Sequence, residues 1–190
     1  MSPFIDFLTL LLLNMAAGYF VLADFVFRGI VSEDRKPWVP AFAIVGLLAT
    51  VFGGYITCTW PLPGSYNSAY GEMSVLFGVL FLGGALAVGR GWGLHVLGIY
   101  AFFAGLAAIV LGVRIMSLGM TNAPTLSGIG FILSGVAGVL VCPGVALRKV
   151  FVLRVLGALV LAAAGLIWAY TGYTALWGHM AHFAQWTPRP

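Results

Sequence analysis

Five ionisable side chains are predicted to lie at one end of the molecule, where they could act on a solute together. They are Asp6, Glu72, Arg114, His179 and His182. Carboxylates accept hydrogen bonds, a guanidinium donates them, and histidine changes charge near physiological pH. One hypothesis is a vestibule that orders a polar solute and responds to pH. The alternative is that Arg114 neutralises Glu72 or Asp6 and only holds helix ends together.

The two histidines are also candidate metal ligands. His179 and His182 are three residues apart, so both rings can share one face of a helix. Glu72 or Asp6 could complete such a site, but two histidines without a defined third ligand are a weak signal. We therefore predict an interfacial role for this segment, with no metal and no other cofactor.

Two further polar features fall inside apolar segments. Asn14 is placed near the middle of the first one, where its amide either bonds to a neighbouring helix or lines a path for a solute. Asp24 and Arg28 are four residues apart, a spacing that predicts an ion pair on one helix face. The sequence has no hydrolytic triad, Cys-x-x-Cys pair, phosphate-binding loop or dinucleotide fingerprint, so we do not expect an enzyme.

The composition indicates an integral membrane protein. Of 190 residues, 62% are hydrophobic and only 7% are charged, against about 25% charged residues in soluble domains. Apolar runs without alternation predict an all-α bundle of six transmembrane helices in a single domain, 1–190. The predicted spans are 4–30, 40–60, 73–89, 93–117, 124–142 and 150–174.

The cations predict the orientation. Seven of the nine lie in loops on one side, namely Arg28, Arg35, Lys36, Arg90, Arg148, Lys149 and Arg154. We therefore place these loops in the cytoplasm and both termini outside, in a prokaryotic cytoplasmic membrane. The positive charge follows from topology, so we expect the lipid bilayer as a partner and no nucleic acid. Cys58 and Cys142 then lie at opposite membrane faces, which excludes a disulfide between them.

The polar stretch 59–72 joins the second and third predicted spans. Pro61 and Pro63 end the preceding helix. Its aromatic residues suit a membrane interface, and they are Trp60, Tyr66 and Tyr70. This stretch is a turn, and it is also the mouth of a pore if Glu72 meets Arg114 beside an opening.

Several motifs resemble an uncharacterised family of small prokaryotic membrane proteins of unknown function. They are "TWPLPGSYN", "SVLFGVLFLG", "GIYAFFAGLAAIVLGVRI", "LSGIGFILSG" and "TGYTALWGH". The first helix, the cation-bearing first loop, "LFGVLFLGGAL" and "GIYAFFAGLAAI" are also similar to the AmiS/UreI family of urea and short-chain amide channels. This second resemblance implies a ring of six protomers with one pore each. It matches Asn14, Phe77 and Gly78 to pore positions. In that family aromatic residues narrow the pore into a slot for a planar amide, and the corresponding stretches here, 79–83 and 126–135, largely lack them.

We therefore expect a membrane channel that passes a small, mostly neutral polar solute such as urea, a short amide or ammonia, as a homo-oligomer. One alternative is a structural or assembly subunit that packs small residues of 130–138 against a larger membrane complex. Another is a redox helper that binds metal, haem or quinone near His179 and His182.

Overall fold

The computed structural model describes residues 7–184, apart from the side chains of His182 and Phe183. Within this range all regular structure is helical. The helices are α1 (Phe7–Phe27), α2 (Val39–Thr59), α3 (Met73–Gly89), α4 (His95–Leu118), α5 (Pro124–Val139), α6 (Val141–Ala146) and α7 (Phe151–Phe183). Two 3₁₀ turns, Gly29–Val31 and Lys36–Trp38, connect α1 to α2, and a π-helical segment, Asn67–Glu72, leads into α3.

Five helical segments of the described chain are long and apolar enough to cross a membrane. They are Phe7–Phe27, Lys36–Thr59, Asn67–Gly89, His95–Leu118 and Phe151–Ala181. The chain is therefore a multi-pass membrane protein. The prediction of an all-helical membrane bundle is confirmed, while the orientation of the termini stays a prediction.

The predicted span 124–142 is different from the other five. α5 has 16 residues, about 24 Å at 1.5 Å per residue, which is less than the ~30 Å hydrocarbon core. The chain turns at Leu140 into α6, a helix of six residues. Pro143 contributes to the break because it offers no N–H to the carbonyl of Val139. The span 124–142, which we expected to be one continuous helix, is therefore interrupted at Leu140.

The helices pack mainly as three pairs, α4 with α5, α1 with α7, and α2 with α3. Glycine allows the closest approach, since a Cβ on Gly105 of α4 would lie 2.5 Å from the carbonyl oxygen of Gly135 on α5. A Cβ on Gly135 would meet the Gly105 oxygen at the same distance. Small residues permit such backbone contact in lipid. α1 also contacts α2, and α5 contacts α7, which joins the pairs into one bundle.

Small residues of 130–138 are used inside this bundle. A Cβ on Gly130 would meet Trp168 of α7, and one on Gly138 would meet Ala101 of α4. Ser134 accepts a hydrogen bond from the Trp168 indole. The small residues of 130–138 are therefore already covered by α4 and α7, while the alternative of an assembly subunit stays a prediction.

One end of the bundle carries the seven cations named above, and we call it the basic end. It comprises the end of α1, the starts of α2 and α4, the end of α3, α6 and the start of α7. The other is called the opposite end.

Candidate functional site

The ionisable residues predicted at the opposite end do not form a cluster in the described chain. Glu72 and Arg114 are both exposed, and the Glu72 carboxylate accepts a hydrogen bond from Ser68 at 2.8 Å. The single ion pair among residues 7–184 is the predicted one between Asp24 and Arg28. No ion pair joins Glu72 to Arg114 among these residues, and the alternative pairing of Arg114 with Asp6 stays a prediction.

The remaining members of that predicted group are described only in part. His179 of α7 lies 3.1 Å from the Thr9 hydroxyl of α1, measured from Nδ1 to Oγ1. Asp6 lies outside the described residues, as does the side chain of His182. The vestibule and metal hypotheses that depend on them stay predictions.

The residues matched to pore positions have structural partners. Asn14 is buried and donates its amide to the carbonyl of Val45 on α2 at 2.9 Å, so it bonds to a neighbouring helix. Gly78 allows α3 to approach α2, because a Cβ there would lie 2.5 Å from the backbone nitrogen of Thr50. Phe77 packs against Phe81 in a tilted arrangement with 4.5 Å between ring centroids, and it also lines the cavity described below.

The stretch 59–72 forms a compact turn. Asn67 is fully buried, accepts a hydrogen bond from the Leu62 amide, and donates to the carbonyls of Leu62 and Gly64. Tyr66 donates to the Met120 carbonyl, and Trp60 is exposed. Tyr70 differs from its predicted interfacial position, because the π-helical segment turns it inward onto Phe131, where it is only 5% exposed.

The described chain contains an apolar cavity of about 500 Å³ between the basic-end halves of the helices. This volume is within the ~300–1,000 Å³ of typical ligand pockets. Its walls include buried side chains from four helices, and they are Tyr19, Phe25, Phe42, Phe81 and Leu161. Nearly every other lining group is aliphatic or glycine, so the cavity suits a hydrocarbon rather than a hydrated solute.

The cavity opens between the break in the α5–α6 span and the start of α7. Four of its lining leucines are exposed there, namely Leu140, Leu147, Leu153 and Leu156. Irregular backbone at membrane depth is tolerated where it lines a cavity, and the break at Leu140 lies on the wall of this one. The mouth therefore lies at the basic end, and its rim is apolar and exposed.

Arg154 is the one charged residue that lines the cavity in the described part of the chain. It lies between two of the mouth leucines, in the first turn of α7. One terminal nitrogen donates to the Phe27 carbonyl at 2.9 Å. Its Nε is buried and has no hydrogen-bond partner among the described residues. The guanidinium also lies 5.6 Å from the Phe151 ring.

Polar side chains close the deep side of the cavity. The Trp168 indole donates to Ser134 at 3.1 Å, and Ser134 also contacts the Tyr19 hydroxyl. Phe131 packs edge-on against Trp168 with ring centroids 4.9 Å apart. Farther towards the opposite end, Tyr70 contacts Ser127, which bonds to Thr121. Hydroxyl groups and aromatic rings therefore fill the region between the cavity and the opposite end.

Sequence reasoning missed the cavity and the position of Arg154 on its wall. The signal for Arg154 was present, since it is a lone cation inside the apolar run that begins at Phe151. The positive-charge pattern instead groups Arg154 with the cations of the cytoplasmic loops. The cavity itself had no sequence signal, because its walls come from helices far apart in the chain.

No curated protein and no solved structure matches the chain. The family described as "Protein of unknown function (DUF981)" matches residues 1–182. The resemblance to the urea and amide channels stays a prediction. Because the match extends over nearly all of the sequence, the chain belongs to the DUF981 family.

Proposed function

We propose that this membrane protein binds the apolar part of a molecule drawn from the bilayer and holds it in the cavity at the basic end. The observation that carries this proposal is the apolar cavity of about 500 Å³ whose mouth between α6 and α7 is lined by exposed leucines. Moving a hydrocarbon chain from lipid into another apolar space changes its free energy little. The site therefore suits an amphiphile whose polar group is held at the mouth while its chain fills the cavity.

The cavity walls support this assignment. Residues that face it from α7 recur at helical spacing, namely Leu153, Leu156, Gly157 and Val160, so one face of the helix lines it. The aromatic rings of Phe42 and Phe81 pack edge-on with centroids 5.4 Å apart and give this part of the wall a fixed shape. From Arg154 to Leu161 the cavity extends about 10 Å along α7, at 1.5 Å per residue.

A photoreactive palmityl alcohol tests the proposal, because it is neutral and carries a single chain. In nanodiscs we expect it to label peptides from the start of α7, and excess unlabelled alcohol should compete with that labelling. The bilayer-facing side of α4 provides an internal reference, since Val96 and Val110 are 78% and 69% exposed. Labelling at these two positions should depend on the mole fraction of the probe in the lipid, and excess unlabelled alcohol should not compete with it.

Filling the cavity should abolish the competed labelling. Gly84 lines the cavity, and a Cβ there would meet only Phe42 at 3.8 Å, so Gly84→Leu places its side chain in the empty space. Gly54→Leu is the matched control, because a Cβ on Gly54 of α2 meets nothing within 4 Å. Equal competed labelling of both variants and the wild type would reject the proposal.

A second candidate is the channel for a small neutral solute, as a homo-oligomer with one pore per protomer. It is favoured by the hydroxyl groups between the cavity and the opposite end, at Ser134, Ser127 and Thr121. A neutral solute needs a few hydrogen-bonding groups and sufficient width, so the Phe131 and Trp168 rings would have to separate. Liposomes with the protein should then pass urea, acetamide or ammonia faster than empty liposomes. Equal rates for all three would reject this candidate.

A further inference from the structure

We infer that the amphiphile carries an anionic head group, a carboxylate or a phosphate, and that Arg154 binds it at the cavity mouth. This inference rests on the proposed function, since it names the chemistry of the molecule that the cavity holds. It makes Arg154 the residue that selects among amphiphiles.

The first argument is the unused bonding capacity of Arg154. A guanidinium has five N–H donors in a planar fork that matches carboxylate and phosphate oxygens. Here the hydrogen bond to the Phe27 carbonyl uses one nitrogen, while the Nε is buried without a partner in the described chain. A buried donor without an acceptor is costly, and the second terminal nitrogen also makes no hydrogen bond in the described chain. The fork therefore has donors to offer an anion at the mouth.

The second argument is that no carboxylate of the described chain pairs with Arg154. Asp24 is the acidic residue on the adjoining end of α1, and both of its oxygens are engaged. One pairs with Arg28 and the other accepts the Trp38 indole at 2.8 Å. The positive charge of Arg154 is therefore not neutralised by a carboxylate of the described chain, and it is available to an anionic ligand.

The third argument is the surrounding potential. Arg148 and Lys149 follow the lining residue Leu147 by one and two positions, and Arg154 is in the first turn of α7, where the helix dipole adds positive potential. An anionic group at this end of the bundle is attracted, and a cationic one is repelled. The apolar walls behind Arg154 accept the chain that such a group carries.

Competition against the photoreactive palmityl alcohol tests the inference. The competitors share one chain and differ in head group, namely palmitate, palmitoyl lysophosphatidate, palmityl alcohol and palmitoylcholine. In wild-type protein we expect the two anions to compete at about tenfold lower mole fraction than the alcohol, because a charge-assisted bidentate hydrogen bond is gained. Palmitoylcholine should compete less well than the alcohol. Comparing the two anions separates carboxylate from phosphate recognition.

Three variants decide the role of Arg154. Arg154→Gln should remove the preference for anions while keeping competition by the alcohol, and Arg154→Lys should retain part of the preference. Arg114→Gln is the control, since Arg114 is exposed on α4 near the opposite end, and it should behave as wild type. Retained alcohol labelling shows that each variant is folded.

The outcomes separate the two proposals. If all four amphiphiles compete equally in wild-type protein, the anionic inference is overturned and the cavity proposal stands. An anion preference that survives in Arg154→Gln also overturns the inference. Failure of every amphiphile to compete would overturn the proposed function itself.

Discussion

Asn67 shows how one side chain can fix a connection at the membrane surface. Its amide makes three hydrogen bonds to the backbone of the turn after α2, to the Leu62 amide and to the carbonyls of Leu62 and Gly64. The side chain is fully buried, so water cannot replace these bonds. The turn and the π-helical segment that begins at Asn67 are therefore held by the same residue.

Replacing Asn67 with aspartate should destabilise the protein, because a carboxylate of the same shape cannot donate to the two carbonyls. We expect Asn67→Asp to lower the free energy of unfolding in detergent by about 1–3 kcal/mol. Asn122→Asp is the control, since Asn122 is exposed in another connection at this end. A variant at Asn67 that unfolds like the wild type would show that these bonds contribute nothing.

The α4–α5 pair depends on glycine at the element scale. A Cβ on Gly105 would meet three backbone atoms of α5, the nearest at 2.5 Å. Backbone atoms cannot rotate away as a side chain can, so the two helices would have to separate. Three glycines of α4 are spaced by seven residues, at Gly98, Gly105 and Gly112, which keeps them on one seam. Gly105 and Gly112 face α5, and Gly98 faces α6.

Alanine should have opposite effects at two helical glycines. We expect Gly105→Ala to lower the free energy of unfolding by about 1–3 kcal/mol through overpacking. Gly54→Ala should leave it unchanged or raise it by up to ~1 kcal/mol, because alanine favours a helix and the space around Gly54 is empty. Chemical unfolding of both variants checks this, and a neutral Gly105→Ala would contradict the close approach of α4 and α5.

The elements were predicted better than the site. The spans 40–60, 73–89 and 93–117 agree with α2, α3 and α4 within two residues, because charged and Gly/Pro-rich breaks delimit apolar runs. The break at Leu140 was missed because the run stays apolar through Pro143. The cavity could not be foreseen, since its walls depend on which helices pair, and hydropathy contains no information about pairing.

At the scale of the whole molecule, the two cysteines report the orientation. Cys58 is exposed near the end of α2, at the opposite end of the bundle, and Cys142 is half-buried in α6 at the basic end. Both are free thiols. If the basic end faces the cytoplasm, a reagent applied from outside can reach only Cys58.

A membrane-impermeant maleimide applied to intact cells should therefore label the wild type. Cys58→Ser should abolish the labelling, whereas Cys142→Ser should leave it unchanged. Permeabilised cells provide the control, because both thiols then become available to the reagent. Labelling that depends on Cys142 in intact cells would reverse the predicted orientation.

The pairing of α1 with α7 has a consequence for synthesis. These helices pack together along much of their length, yet the ribosome makes 123 residues between Phe27 and Phe151. At about 5–20 residues per second, this takes roughly 6–25 s. During that time the face of α1 that will receive α7 has only lipid beside it, and the bond from Asn14 to α2 is available early to hold it. The bundle is completed only when its last helix enters the membrane.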